Sequence, residues 1–349
     1  MEEIFRVIDA NFNRTREGLR VIEEAIRFIC RNEKFLKEIR NLRHKFSKKF
    51  FEFFPSEKLM TSRDIEKDLG KEFKNFKKID LKKMIERNFL RIEEATRVLE
   101  EYSKILKPTA SDFFHDIRFK IYRIEKDVLN KLGRKEIKIP SLYVILNLNN
   151  KEKDEFLIFA ERVIEGKPDI IQLRYKGENV KFFLEIAKEL KKIIPDEIIY
   201  IINDRIDIAI LCESDGVHIG KEDFDIDDAR KILQNKIIGF SISGKEGIKY
   251  IKGKDIDYIA IGSIFKSPTK PEKEVVGLGI LKKIKRSISI PLIGIGGINI
   301  DNAKKVIENG ADGIAVISAV ENSKNVYETL KKLREEIYKG WKKRVKGII

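Results

Sequence analysis

The hydrophobic pattern of this 349-residue chain changes at Ile139-Pro140. From there on, short β-branched runs alternate with charged segments of helical periodicity. The runs lie at 142–146, 169–173, 198–202, 215–219, 236–241, 257–261, 290–295 and 312–317. Strands that alternate with helices form parallel sheets, and eight such strands favour a closed barrel over an open doubly wound sheet. The pattern therefore predicts an α/β protein in which residues 139–349 form a (β/α)8 TIM barrel.

Residues 1–138 have apolar positions three and four apart and little glycine, which predicts an all-α helical domain. This segment also repeats itself at a constant offset. Asn11, Arg14, Glu17, Gly18 and Arg20–Glu24 match Asn88, Arg91, Glu94, Ala95 and Arg97–Glu101. A looser match relates Leu42-Arg43 to Ile117-Arg118. Two copies of one helical hairpin, related by an internal two-fold repeat, explain both matches.

The chain carries 72 Lys and Arg residues against 57 Asp and Glu residues, a net charge of +15. Positive charge attracts nucleic acid, anionic lipid or phosphorylated small molecules. Here opposite charges are interleaved and no zinc-finger or ribonucleoprotein motif is present, so we expect small phosphorylated ligands and no nucleic acid. No run approaches the roughly 18 apolar residues of a membrane span. We therefore expect a cytoplasmic protein without membrane association, and the sequence is compatible with a homo-oligomer.

Polar residues follow the second, third and fourth predicted strands. Gln172, Arg174 and Lys176 alternate, so a strand directs these two cations and one amide to the same side. Asp204 ends the third strand and Asp223 follows the fourth. Carboxylates opposite a basic cluster indicate Mg²⁺ that bridges to a pyrophosphate. The alternatives are a solvated strand end for the cations and a helix cap for each aspartate.

The later strands also end in residues suited to phosphate. Ser241 ends the fifth strand, and the loop Ser267–Lys270 follows the sixth. Gly294–Gly297 and Ile317-Ser318 follow the seventh and eighth strands, where barrels commonly bind phosphate through backbone N–H groups. Neither GxGxxG nor GxxxxGK[ST] occurs. The strand ends therefore predict a site for two phosphorylated substrates.

Taken together, these motifs resemble the thiamine phosphate synthase family along the whole predicted barrel. The resemblance implies a transferase that condenses 4-amino-2-methyl-5-hydroxymethylpyrimidine pyrophosphate with hydroxyethylthiazole phosphate, in a Mg²⁺-dependent dissociative substitution that releases pyrophosphate. It assigns substrate binding to Gln172, Leu173, Arg174, Tyr175, Lys176, Asn203, Ser241, Ser267, Pro268, Thr269, Lys270, Gly297, Ile317 and Ser318. It assigns metal binding to Asp204 and Asp223, and catalysis to Arg174, Lys176 and Lys270.

His218, at the end of the fourth strand, invites a role as general base. We interpret it instead as a histidine packed or hydrogen bonded beneath the site, because the implied chemistry needs no strong base. Another phosphate-binding barrel enzyme remains an alternative to the synthase. The combination of basic cluster and carboxylates argues against that alternative.

In the helical segment, Asn11 and Arg14 border the apolar stripe and recur as Asn88 and Arg91. Polar residues that lean inward are costly unless paired, so their recurrence predicts a shared polar pocket. The small residue Gly18 leaves room for a ligand. Arg63 and Asp64 lie between the two copies, in a segment that is predicted either to close over a ligand or to be an ordinary connector.

The helical segment resembles the domain that is fused to some thiamine phosphate synthases and proposed as a monofunctional hydroxymethylpyrimidine phosphate kinase. The resemblance implies ATP as a co-substrate, although the missing P-loop leaves the ATP site unlocated. The alternative is a monofunctional synthase whose helical domain is a structural module for assembly.

Overall fold

The computed structural model describes residues 1–30, 32–61, 79–149, 151–267 and 274–346. The chain divides into two compact units, Met1–Gly133 and Arg134–Ile349. The division precedes the predicted boundary at 138/139 because Arg134 and Lys135 donate hydrogen bonds to carboxylates of the second unit. Residues 134–138, predicted as the end of the helical domain, are therefore part of the barrel unit.

The described residues of the second unit form a closed barrel of eight parallel strands in chain order, with β8 paired to β1. The strands are β1 Ser141–Asn147, β2 Ile170–Arg174, β3 Ile199–Asn203, β4 Gly216–Ile219, β5 Ile237–Ile242, β6 Tyr258–Ile261, β7 Leu292–Ile295 and β8 Gly313–Val316. Each strand overlaps one predicted run, so the barrel prediction is confirmed.

Helices cover the outside of this barrel. They are α6 Lys153–Glu165, α7 Val180–Ile193, α8 Ile206–Leu211, α9 Ile226–Leu233, α10 Lys245–Ile251, α11 Gly279–Lys285, α12 Ile300–Glu308, α13 Ser318–Glu321 and α14 Val326–Lys346. Strand alternation separates an inner from an outer layer of side chains. On β2, Ile170 belongs to the inner cluster, whereas Ile171 and Leu173 pack in the outer core. Gln172 and Arg174 therefore share the inner side with Ile170.

Aspartates at alternate strand starts tie the bottom of the barrel together. Within the described barrel, Asp169, Asp215, Asp257 and Asp312 precede β2, β4, β6 and β8. The Oδ2 atom of each accepts the backbone N–H of a residue at the start of the preceding strand, at 2.8–2.9 Å. The backbone N–H of each aspartate donates to the carbonyl of that same residue, at 2.7–2.9 Å. The strand pairs β1/β2, β3/β4, β5/β6 and β7/β8 are therefore each joined by an aspartate side chain at the end of the barrel opposite to the strand C-termini. We call this contact the clasp.

Basic side chains neutralise these buried carboxylates. Asp312 is 1% exposed, and its carboxylate lies 2.6 Å from Lys285 Nζ and 3.2 Å from Arg344 Nη2. Asp169 pairs in the same way with Arg334, at 3.1 Å. Removal of one partner from a buried ion pair leaves an uncompensated charge, which costs several kcal/mol.

The first unit is helical. Its elements are α1 Glu2–Glu24, a π-helical turn Ala25–Cys30, α2 Glu33–Phe53, α3 Ser56–Thr61, α4 Leu81–Leu106 and α5 Pro108–Leu132. Helix α4 packs against both α1 and α5. The helical prediction is confirmed, and none of the helices in the described part of the chain is long and apolar enough to span a bilayer.

The internal repeat appears in the ion pairs of the first unit. Glu23 on α1 is buried and accepts from Arg43 Nε at 2.7 Å. Its counterpart Glu100 on α4 is also buried and accepts from Arg118 Nε at 2.9 Å. The two matches found in the sequence therefore correspond to one contact made twice, between the first and second helix of each hairpin.

The space beside Gly18 is filled by a neighbouring helix. A Cβ atom added to Gly18 would lie 2.6 Å from Ile92 Cγ1 of α4. The small residue therefore allows α1 and α4 to approach each other closely. The expectation that Gly18 leaves room for a ligand is wrong, because that room is occupied by packing.

Asp312→Asn is expected to lower the free energy of unfolding by about 3 kcal/mol, because it removes the charge that neutralises Lys285 and Arg344. Asp228→Asn is the matched control, since Asp228 is exposed and pairs along its own helix with Lys231. This control is expected to cost less than about 1 kcal/mol. Denaturant unfolding of both variants measures the difference, and equal costs would contradict the clasp.

Candidate active site

The strand C-termini surround a cavity of about 110 Å³ at one end of the barrel. Most of the predicted binding residues whose positions are described line it. These are Gln172, Arg174, Asn203, Ser241, Ser267, Gly297, Ile317 and Ser318. A second hollow of about 280 Å³ is lined by Tyr175, Lys176, Asp204 and Asp223. Because Arg174–Lys176 and Asn203-Asp204 are continuous in the chain, the two hollows share the mouth of the barrel.

The Asp204 carboxylate lies close enough to Asp223 to influence the pKa of the Asp223 carboxyl. Burial raises the pKa of the Asp223 carboxyl, and the neighbouring Asp204 charge raises it further. The Gly220 N–H, 2.7 Å from Asp223 Oδ2, and the Lys176 ammonium oppose this effect. Asp204 itself has φ +60°, a left-handed conformation that aspartate tolerates better than most residues and that often marks functional sites.

The carboxylate pair suits a hard divalent cation. Magnesium is usually held by one or two carboxylates together with water and substrate phosphates. In the described part of the chain, no group of three or more His, Cys, Asp and Glu side chains could hold a metal ion. Asp204 and Asp223 therefore fit a site that the substrate completes. The ammonium of Lys176 is hydrogen bonded to the Asp204 carboxylate, so a cation and an anion partner are already in contact here.

Asparagines at and just after the end of β1 hold the basic residues at and just after the end of β2. Arg174 Nη1 donates to Asn147 Oδ1 at 3.1 Å. The backbone N–H of Lys176 donates to Asn149 Oδ1 at 2.8 Å. Sequence reasoning missed both asparagines, although their alternation at the end of the first strand is the same signal that identified Gln172 and Arg174.

Asn203 has a buried side-chain amide nitrogen that makes no hydrogen bond to the described residues. The residue is 7% exposed and lines the cavity. Its Nδ2 atom is buried and has no hydrogen-bond partner among the described residues. Buried amide groups in proteins are nearly always bonded, and an exception needs an explanation such as a ligand.

The loop after β6 lies directly on the turn after β7. Ile264 N donates to Ile295 O at 2.9 Å, and Phe265 N donates to Gly296 O at 3.1 Å. Gly297 has φ +61°, and a Cβ atom there would lie 2.4 Å from Lys266 O. This contact brings the buried Ser267 to the glycine turn. Pro268, Thr269 and Lys270 lie outside the described residues.

Two residues in the predicted binding set are placed differently from the rest. The side chain of Leu173 is fully buried in the outer core, so only its backbone is available to a ligand. Tyr175 packs its ring against Phe182 and Phe183 and borders the second hollow. Alternation along β2 explains why the Leu173 side chain points away from Gln172 and Arg174.

The polar residues predicted for the helical pocket are bonded largely within their own helices. Asn11 Nδ2 donates to Val7 O, and Asn88 Nδ2 donates to Met84 O, both at 2.8 Å. Arg14 reaches Asn11 Oδ1 at 3.5 Å. Arg91 instead crosses from α4 to α1, where it lies 3.7 Å from Glu17.

Arg63 and Asp64 lie outside the described residues. The shared polar pocket of the helical unit therefore stays a prediction.

A closed β/α barrel with paired carboxylates, a basic cluster and a glycine turn at one mouth is typical of enzymes that act on phosphorylated small molecules. Comparison with known families narrows this class. Residues 142–320 match the family model described as "Thiamine monophosphate synthase", and residues 6–127 match the "ThiD2 family" model. The chain belongs to the thiamine-phosphate synthase family, a family of transferases, and carries a ThiD2 domain before the barrel.

Relatives extend over both units. A thiamine-phosphate synthase of Nostoc punctiforme is 31% identical over 322 residues, which cover 91% of this chain and 89% of that protein. One from Prochlorococcus marinus subsp. pastoris is 35% identical over 331 residues and covers 92% of each chain. The solved structure of thiamine phosphate pyrophosphorylase from Pyrococcus furiosus has a TM-score of 0.52 and 35% identity, and covers 57% of this chain and 96% of that chain.

Asp204→Asn is expected to lower the pKa of the Asp223 carboxyl, because the substitution removes the neighbouring like charge and leaves Lys176 in place. Asparagine also accepts the left-handed backbone of residue 204. Carbon-13 NMR titration of the Asp side chains in metal-free protein measures the shift, with Asp228→Asn as the control that leaves Asp223 unchanged. An unaltered Asp223 titration in Asp204→Asn would show that the carboxylates do not interact.

Proposed function

We propose that the barrel joins hydroxymethylpyrimidine pyrophosphate to hydroxyethylthiazole phosphate at this mouth, with Mg²⁺ as its cofactor. The observation that carries the proposal is that the basic cluster, the carboxylate pair and the Asn203 Nδ2 atom, which has no partner among the described residues, line two hollows at one mouth of the barrel. Family membership supports the reaction class. The cation–carboxylate arrangement supports a polyphosphate as one substrate.

Arg174 and Lys176, together with Lys270, which lies outside the described residues, are proposed to bind the pyrophosphate. In the reaction, the bond between the pyrimidine methylene carbon and the pyrophosphate oxygen breaks, and its electron pair leaves with the pyrophosphate. The lone pair of the thiazole nitrogen then forms the new carbon–nitrogen bond. No proton has to be removed by a side chain, so positioning and charge stabilisation account for catalysis.

Asp204 and Asp223 would hold Mg²⁺, which would supply positive charge to the leaving pyrophosphate. The thiazole phosphate is proposed to bind at Gly297 and Ser318, with Ser267 above the glycine turn. Gly297 lines the cavity, and glycine allows a backbone N–H to approach an anion closely. The cavity between these two groups of residues provides the space in which the reacting carbon and nitrogen meet.

Asp204→Asn is expected to lower synthase turnover by about 10²-fold or more while the fold is retained, because charge stabilisation of the leaving group is weakened. The assay follows thiamine phosphate formation across a magnesium titration. Asp228→Asn serves as control and should match the unsubstituted protein. Undiminished turnover of Asp204→Asn at every magnesium concentration would refute the metal assignment.

The helical unit is further proposed to phosphorylate hydroxymethylpyrimidine phosphate with ATP, and thus to make the substrate that the barrel consumes. The γ-phosphoryl group would pass to the substrate phosphate, with formation of one P–O bond, cleavage of another and release of ADP. The match to the ThiD2 family over residues 6–127 favours this second activity. The competing proposal is that the unit serves only in assembly.

Full-length Asp204→Asn protein, in which the barrel reaction is suppressed, is expected to form ADP and pyrimidine pyrophosphate from hydroxymethylpyrimidine phosphate and Mg-ATP. Arg14→Gln should lower this rate several-fold if the predicted pocket binds the anionic substrate. Lys37→Gln, at an exposed position of α2, is the charge-matched control. Absence of ADP formation at saturating Mg-ATP would favour the assembly module.

A further inference from the structure

A series of hydrogen bonds crosses the barrel interior beneath the mouth. Gln172 Nε2 donates to Tyr143 Oη at 2.6 Å, and the Tyr143 and Tyr258 hydroxyl oxygens lie 2.8 Å apart. His218 Nδ1 lies 3.0 Å from Tyr258 Oη, and His218 Nε2 lies 2.8 Å from Ser241 Oγ. Both end residues, Gln172 and Ser241, line the cavity. We call these five side chains the relay.

The two tyrosines of the relay are enclosed by protein, whereas His218 also lines the cavity. Tyr143 is 1% exposed and Tyr258 is 0% exposed. Burial raises the pKa of both phenols above the ordinary value for tyrosine. Each hydroxyl therefore keeps its proton and has one hydrogen to donate. A neutral imidazole likewise has one N–H donor and one acceptor nitrogen, so each interior member passes on one hydrogen bond in a fixed direction.

The hydrogen bonds of the relay can run in only two directions if each interior member is to use both its donor and its acceptor. In the first, Tyr143 donates to Tyr258, Tyr258 donates to His218 Nδ1, and His218 Nε2–H donates to Ser241. In the second direction, Ser241 donates to His218 Nε2, His218 Nδ1–H donates to Tyr258, and Tyr258 donates to Tyr143. Tyr143 then donates to the amide oxygen of Gln172. The structure places the amide nitrogen of Gln172 on Tyr143, which is compatible with the first direction alone.

We propose that Tyr143 and Tyr258 are positioning residues that fix the hydrogen-bond polarity of the mouth, so that Gln172 presents an acceptor to the cavity and Ser241 presents a donor. The 4-amino group of an aminopyrimidine is a donor beside a ring-nitrogen acceptor, which matches this polarity. A pyrimidinone presents a carbonyl acceptor beside a ring N–H donor and is mismatched. The inference rests on the proposed function, since it deepens the choice of substrate at the same site.

A purely structural role for the two phenols would be to satisfy one another inside the barrel. Tyr200 shows what such a role looks like. It is 0% exposed, and its hydroxyl donates to Ala187 O at 3.1 Å without reaching a cavity residue. The relay differs because both of its ends lie at the mouth. Tyr200→Phe is therefore a matched control for Tyr258→Phe, with the same loss of one buried hydroxyl.

Nitrogen-15 NMR of the full chain measures which ring nitrogen of His218 carries the proton, and so reports the direction of the hydrogen bonds in the relay. The sequence has three histidines, His44, His115 and His218, so substitution of the first two assigns the third. The proposal expects one neutral His218 tautomer, with Nε2 protonated and Nδ1 bare. Tyr258→Phe should convert it to a mixture, and so should Tyr143→Phe, which separates Tyr258 from Gln172, whereas Tyr200→Phe should preserve it. A wild-type Nδ1–H tautomer, or an unchanged tautomer in Tyr258→Phe, would overturn the proposal.

Kinetics test the consequence for the substrate. Tyr258→Phe is expected to raise the KM for the aminopyrimidine pyrophosphate about tenfold and to leave the KM for the thiazole phosphate unchanged, since about one hydrogen bond is affected. Its preference for the aminopyrimidine over the matching pyrimidinone should fall by a similar factor. Tyr200→Phe should change neither value. Equal effects of Tyr258→Phe and Tyr200→Phe on these values would show that the relay contributes only to core packing.

The two proposals fail in different ways. If the unsubstituted protein makes no thiamine phosphate, the proposed function is wrong, while the histidine spectrum of the ligand-free chain still reports the direction of the relay. If the synthase is active and Tyr258→Phe leaves both the tautomer and the substrate preference intact, the relay proposal alone is wrong.

Discussion

A carboxylate that exchanges two hydrogen bonds with the strand before it is the contact on which the barrel depends. Asp169, Asp215, Asp257 and Asp312 each make this contact at the start of an even-numbered strand. The clasps lie at the end of the barrel away from the mouth. The mouth can therefore hold residues that stability alone would not favour, such as the unbonded Asn203 amide and left-handed Asp204.

The strands and much of the mouth could be predicted because both follow from local periodicity. Alternation identified Gln172 and Arg174 as neighbours on the inner side of β2. Asn147 carries the same alternation signal, but neither its contact with Arg174 nor the tyrosines of the relay could be found in this way. Their importance depends on register, which places Asn147 opposite Arg174 and joins residues that are far apart in the chain. A single sequence shows which residues share a strand face, but it does not show which side chains meet across the barrel.

The helical unit shows the same limit of prediction from a single sequence, here for contacts between helices. The offset repeat led to Glu23 and Glu100, whose arginine partners turned out to be equivalent. Gly18 was misread, because a sequence shows that a residue is small and does not show what lies opposite. Ile92 of the neighbouring helix fills the space. The internal repeat thus located a structural contact correctly. The ligand pocket of the helical unit stays a prediction.

The bond between Lys176 and Asp204 would make the two proposed binding events, of a divalent ion and of a polyphosphate, interdependent. A divalent ion that takes the Asp204 carboxylate must compete with the ammonium group for it. Once displaced, that ammonium is left with an unpaired charge, which an incoming polyphosphate can neutralise. Ion and polyphosphate should consequently enter with positive thermodynamic linkage, each tightening the association of the other, and the lysine would act as the exchangeable counter-ion that couples them.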